Sequence, residues 1–259
     1  MSGFSYGFAV TRRAKSVKQP RGGYLKPKSF VAVSLGGGLD ELNPAENVRA
    51  NLVGMSVDYL SRFLSGTRLE EAFKPSLKGS VVSHHAEEAD RLLRGVTGLD
   101  DASITNAVKL TGFDVCFRFS PQSYKPVEEI QPDTSTIENI RVMVNRTLHF
   151  LDVYGPKILD GFTFEGGYSD VIVNGDGDFL TADTLWDLKV SKNSIQKEHT
   201  LQLLMYWRMG LRSVHPEFRN VRYLGIYNPR LNVASRIEVS QIPDDVIDAV
   251  EKDVIGYTE

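Results

Sequence analysis

The sequence predicts an α/β fold with a helical N-terminal elaboration. Three observations predict it. Apolar residues recur at three- and four-residue spacing in four stretches before residue 154, which is the period of amphipathic helices. Short apolar runs of strand length take over after residue 157. A long helical pattern stands on either side of the first three of those runs, giving the order helix, three strands beginning antiparallel, helix, strand.

Residues 1–39 read as a basic N-terminal arm with one apolar stretch, Phe30 to Leu35, closed by Gly36, Gly37 and Gly38. Residues 40–135 read as the helical elaboration. In it, Asn43-Pro44 caps a helix over 44–65, with Val48, Leu52, Met55, Tyr59, Leu60 and Phe63 on one face and Gly66 at its end. Further helices are expected over 84–93 and 101–110, and 111–135 reads as irregular around Pro121, Pro126 and Pro132. Residues 136–259 form the expected core. Its first helix runs from Ser135 to Val153 with Ile137, Ile140, Val144, Leu148 and Leu151 as its stripe. Strands follow over 158–164, 168–174 and 185–190, with Asn174-Gly175-Asp176-Gly177 marking a reversal. A helix over 197–211, strands over 221–227 and 235–239, and an amphipathic helix over 244–254 complete it.

Composition narrows the classes. With 259 residues, 41% of them apolar, the chain buries a full core. The single Cys116 excludes an internal disulfide, a cysteine zinc site and an iron–sulfur cluster, and its apolar neighbours predict an inert buried thiol. The first residues have no apolar h-region, and no stretch reaches the ~18 apolar residues of a membrane span. A cytoplasmic protein without membrane contact is expected, and the sequon at Asn145-Arg146-Thr147 then means little. The net charge of −3 gives no global sign of nucleic acid, but its distribution is uneven. No acidic residue precedes Asp40, whereas Arg12, Arg13, Lys15, Lys18, Arg21, Lys26 and Lys28 do. Such an arm either neutralises phosphates or is a solvated terminus.

Three features fall in a fixed order within the core. Gly167-Tyr168-Ser169-Asp170 enters the second strand, Asp187-Leu188-Lys189 occupies the third, and Gln202-Leu203-Leu204-Met205-Tyr206 lies on the helix that follows. Residues two apart in a strand share a face, so Asp187 and Lys189 point together. Pairing of residues 170 and 187 across the hairpin would add Asp170 to that face. Two carboxylates at one spot repel, and a hard divalent cation, magnesium or manganese, relieves the repulsion. Gln202 and Tyr206, four apart, share a helix face. Asp187-Leu188-Lys189 is the only acidic-x-Lys triplet in the chain. Apolar neighbours on both parities (Leu185, Trp186, Leu188 and Val190) predict a strand covered on both sides, where an idle surface ion pair is out of place.

This arrangement resembles the PD-(D/E)xK nuclease superfamily, and within it the RecB-type and lambda-exonuclease-type branch. The resemblance covers about residues 136–228. It implies a restriction-endonuclease-like core and hydrolysis of phosphodiester bonds, of DNA in the first place, with Mg²⁺ or Mn²⁺ as cofactor. It implies that Asp170, Asp187 and the Leu188 carbonyl hold the metal, that Lys189 activates water or offsets charge on phosphate, and that Gln202 and Tyr206 support the site and the DNA. Many members carry an upstream histidine ligand after a glycine; here the candidates are His84 and His85, downstream of Gly79. Glu165 is a further acidic candidate, while Asp176, Asp178 and Asp183 read as solvated loop acids. The rival expectation is the same fold without cleavage, acting as a DNA-binding or assembly protein. Oligomeric state is left open, a dimer or ring around DNA included.

Overall fold

A computed structural model describes residues 7–36 and 41–258. Gly37, Gly38 and Asp40 lie outside the described residues. The chain divides into two compact units: a sheet unit of residues 1–35, 154–228 and 233–259, and a helical unit of residues 36–153 and 229–232.

The sheet unit opens with strand β1 (Phe8–Ala9), helix α1 (Val10–Ser16) and strand β2 (Val31–Ser34). The N-terminal segment is thus folded into this unit rather than forming a separate arm. The helical unit follows: α2 (Ala50–Leu64), α3 (Leu69–Ala72), α4 (Lys74–Val82), α5 (Ala86–Arg94), α6 (Asp101–Thr111), α7 (Asp114–Arg118) and α8 (Thr134–Tyr154), whose last residue already belongs to the sheet unit. The chain then returns through β3 (Leu159–Phe162), β4 (Ile172–Asn174), β5 (Gly177–Leu180) and β6 (Thr184–Leu188) to α9 (Lys197–Arg212). Strands β7 (Tyr223–Asn228) and β8 (Val233–Glu238) precede α10 (Asp244–Ala249), which runs into a π-type turn at Val250–Ile255.

In the helical unit α6 begins where the sequence places it, because the Asp100 carboxylate accepts the Ser103 N–H at 3.0 Å and caps the first turn. Helix α2 does not begin at Pro44 as expected. Its polar lead-in is drawn away by α8: the Asn43 N–H donates to Asn139 Oδ1 at 2.7 Å, and the Asn47 N–H donates to Thr136 Oγ1 at 3.0 Å. Helix α4 falls in a stretch given no element from the sequence. It is held by packing: a Cβ on Gly79 would stand 2.0 Å from the Phe113 carbonyl oxygen, so only glycine lets the two backbones meet. Helix α8, expected to open the core, is grouped with this unit through Val153, and its Ile140, Met143 and Val144 are fully buried. Cys116 is buried as expected, which pushes its thiol pKa up.

The sheet unit is a six-stranded mixed sheet in the order β2-β8-β7-β6-β5-β3, with β1 and β4 forming a separate parallel pair. Strands β6 and β7 are parallel, and α9 makes the crossover between them; the other neighbours in the large sheet are antiparallel. Leu185, Leu224, Ile226 and Ile237 from the strands form one buried cluster with Leu201, Leu204, Met205 and Met209 of α9 and with Val10 and Ala14 of α1. Leu185 and Asp187 are two apart in β6 and share the face turned to α9, while Trp186 faces the other way, its ring filling the space that a side chain on Gly225 would take. Among the described residues no helix is long and apolar enough to cross a membrane.

Candidate active site

The candidate site sits at the carboxyl end of β6, where the chain leaves a parallel strand for its crossover helix. Loops at that end of a parallel pair form the natural crevice of an open α/β sheet. Asp187 is the last fully enclosed residue of β6, 1% exposed, and Lys189 follows two positions on. Strand pleat puts their side chains together, and Lys189 Nζ lies 2.8 Å from Asp187 Oδ1, to which it donates, and 2.7 Å from Oδ2. The geometry of a hydrogen bond is met at Oδ1 only, so the buried Oδ2 has an ammonium beside it but accepts no hydrogen bond.

Helix α9 supplies the other side. Gln202 Nε2 donates to Asp187 Oδ1 at 3.1 Å and to the Tyr206 hydroxyl oxygen at 3.0 Å. Gln202 therefore orients Asp187, where the sequence left open whether it would orient Lys189 or reach the substrate. Tyr206 is 3% exposed and stacks on Phe164 at 4.9 Å, so it braces Gln202 from within the core and does not face a ligand. Burial, and then the charges of Asp187 and Asp178, push its pKa well above the usual tyrosine range.

The second carboxylate comes from Asp178. Phe179 faces Trp186 and Leu180 faces Leu185 across the antiparallel ladder, and Asp178 immediately precedes this paired stretch. Asp178 Oδ2 accepts the Leu188 N–H at 2.6 Å, which ties this carboxylate to the backbone between Asp187 and Lys189. The assignment of Asp178 to a solvated loop is thereby corrected. The reversal signal at Asn174–Gly177 leads into β5, and the turn into β6 is the shorter Thr181–Asp183, closed by Thr181 N–H to the Thr184 carbonyl at 3.0 Å. The acid brought to the backbone beside Asp187 is thus one in β5, Asp178, and not Asp170.

Asp170 is exposed in the turn before β4, outside the large sheet. That turn is anchored to the C-terminal segment: Ser169 Oγ donates to the Ile255 carbonyl at 2.5 Å, and the Tyr257 hydroxyl donates to the Gly167 carbonyl. Pairing of residues 170 and 187 does not occur. Glu165 is also exposed, in the turn after β3, where the Thr163 hydroxyl on its carboxylate holds its pKa low. The groups bonded to Asp187 come from the sheet unit, whereas His84 and His85 belong to the helical unit. His84 is exposed at a left-handed turn, φ 63°, directly before His85, the N-cap of α5. His85 is committed to structure, its ring stacked on Tyr124 at 3.9 Å and its Nδ1 2.6 Å from the Ser83 carbonyl.

His199 is the neighbour that the sequence reading missed. It lies three residues before Gln202 on α9, in the first turn, where its Nδ1 accepts the Gln196 N–H at 3.3 Å in a reciprocal cap. Burial first, then Lys189, lower its pKa, and Asp187 opposes them. Its spacing of three and seven from Gln202 and Tyr206 was the available signal.

No family model, curated protein or solved structure matches this chain. The site therefore has to be read from its own chemistry. Among the described residues no group of three or more histidine, cysteine, aspartate and glutamate side chains is disposed to hold a metal. Asp178 and Asp187 supply two oxygen donors, with a buried Asp187 oxygen that accepts no hydrogen bond. That set fits Mg²⁺ or Mn²⁺ binding through one or two carboxylates, the remaining positions going to water and substrate phosphate. It does not fit a zinc centre, which takes three or four protein ligands.

Proposed function

We propose that the chain is a divalent-cation-dependent nuclease hydrolysing phosphodiester bonds, in DNA first of all, on a core of the restriction-endonuclease type. One observation carries this reading: the Asp178 carboxylate is tied to the Leu188 N–H, next in the chain to the buried Asp187 at the end of a parallel strand, and Lys189 pairs with Asp187. Carboxylates brought close together repel, and a divalent cation relieves that repulsion. A bound Mg²⁺ or Mn²⁺ also lowers the pKa of its water and offsets charge developing on phosphorus. Asp178 and Asp187 would hold it, with the Leu188 carbonyl as a main-chain oxygen. Lys189 keeps a positive charge where a phosphate oxygen would lie, and Gln202 fixes the Asp187 carboxylate so that it need not reorganise.

A second reading is a non-cleaving DNA-binding or assembly protein on the same core. It is favoured by the near-complete burial of Asp187 and its existing ion pair with Lys189. Cleavage of linear duplex and single-stranded DNA with Mg²⁺ or Mn²⁺ separates the two. The nuclease reading expects cleavage that Asp187→Ala and Lys189→Ala abolish, that Asp178→Asn also abolishes, and that Asp170→Asn leaves close to wild type. Equal activity in wild type and in the Asp187 and Lys189 variants ends it.

A further inference from the structure

The basic N-terminal segment lies beside the candidate site. Val10 and Ala14 are buried in the same cluster as α9, and a Cβ added to Gly175 would meet both Val10 and Tyr206. The Leu25 carbonyl accepts the Thr200 hydroxyl at 2.5 Å, next to His199, and a Cβ on Gly23 would touch Lys197 at the start of α9. Arg13 is committed to structure, donating to the carbonyls of Asp253 at 2.7 Å and Val254 at 3.0 Å. Lys15 is near enough to His199 to act on its charge, as Lys189 and Asp187 are.

Of the other cations of the segment, Arg12 lies over the Phe8 ring at 5.7 Å. Arg12, Lys15, Lys18, Arg21, Lys26 and Lys28 are all exposed, and among the described residues none of the six forms an ion pair. In the helical unit some exposed cations are paired, Arg94 with Asp90 and Lys74 with Glu71. Six like charges held on one folded segment with no acid among them repel one another, a cost that a polyanion removes.

We propose that this segment, from Arg12 to Lys28, is a binding track for the sugar–phosphate backbone of a polynucleotide, leading to the crevice at the end of β6. It grips phosphates and reads no bases, so binding is independent of sequence and falls steeply with salt. The track gains its role in delivery from the nuclease reading above, but its binding is measured without cleavage.

The test uses the full chain in EDTA, with labelled oligothymidylate followed by fluorescence anisotropy across a salt series. The variant replaces Lys15, Lys18, Arg21 and Lys26 with Gln; the control replaces Lys78, Lys109 and Lys125 with Gln. At about 0.7 counterions per single-strand contact, the variant lowers the slope of log K against log salt by up to about 3, while the control leaves it unchanged. Matching melting curves show that all three proteins are folded. Equal slopes in variant and control, or no binding by the wild type, overturn the track. Capture by phosphatidylserine vesicles without oligonucleotide binding overturns it in favour of a membrane surface. Metal-dependent hydrolysis of bis(p-nitrophenyl) phosphate checks the centre separately. Hydrolysis intact with equal slopes sinks the track alone, and a lowered slope without any hydrolysis sinks the nuclease reading alone.

Discussion

Asp114 in the helical unit and Asp187 in the sheet unit are each 1% exposed, yet their surroundings differ. Asp114 is fully occupied. Its Oδ1 accepts the Ser76 hydroxyl at 2.5 Å, and its Oδ2 accepts the Tyr59 hydroxyl at 2.6 Å and Arg118 Nε at 3.4 Å. It fastens α2, α4 and α7 together. Asp187 accepts from Lys189 and Gln202 on Oδ1, while its Oδ2 lies 2.7 Å from the Lys189 ammonium without accepting a hydrogen bond, and Asp178 is tied to the adjacent Leu188 N–H. A carboxylate buried for stability is saturated by donors. On the proposed nuclease reading, Asp187 is held instead for a cation, which its Oδ2 would meet beside the Lys189 ammonium.

The same substitution at the two sites should therefore have opposite signatures. Asp187→Asn is expected to lower metal-dependent cleavage by about 10³-fold, since the several kcal/mol supplied by a metal centre convert at ~1.4 kcal/mol per decade. It should leave the melting temperature nearly unchanged or raised. A variant that cleaves normally, or that unfolds, breaks the contrast. Asp114→Asn should do the reverse, removing about 1–3 kcal/mol of stability, because the amide cannot accept all the donors left around it. Its cleavage per folded molecule should match wild type, as measured by chemical denaturation alongside activity.

Smaller effects sharpen the comparison. Gln202→Leu frees the Asp187 carboxylate from α9 and is expected to reduce activity or metal affinity by about 10–100-fold, the range for partners that orient a metal ligand. Calorimetric titration with Mn²⁺ checks it, and an unchanged affinity and rate would remove Gln202 from the site. The smallest effect concerns pH. His199 has a folded pKa depressed by burial and by Lys189. Its contribution is full above the ordinary histidine value of about 6.5 and is lost as pH falls through that value towards the folded pKa. Melting curves of the wild type should therefore drop more between pH 7.5 and 5 than those of His199→Asn; parallel curves refute the shift.

Much of this frame is legible in the sequence, for identifiable reasons. Helices α6, α8 and α9 and strands β6, β7 and β8 carry clear periodicity, and their boundaries fall within a few residues of expectation. The triplet Asp187-Leu188-Lys189 and the Gln202/Tyr206 pair were readable because strand and helix periods alone bring each pair to one face. Asp178 was not. Its strand, Gly177–Leu180, is short and lies in a stretch dense in glycine and aspartate, which local chemistry reads as a loop; the pairing with β6 that makes it a strand is a tertiary fact. Helix α4 was hidden likewise, since Pro75, Gly79 and a weak apolar stripe argue against a helix that Phe113 packing nonetheless sustains. The membership of α8 in the helical unit has no local signature at all.

The bond from the Leu188 amide to Asp178 also gives the molecule its own gauge. That single N–H sits between the two residues of the triplet and ends on the opposing acid, so whatever draws electron density from Asp178 must be felt at Leu188. Its nuclear magnetic resonance signal would report any ion that reaches Asp178, with or without turnover.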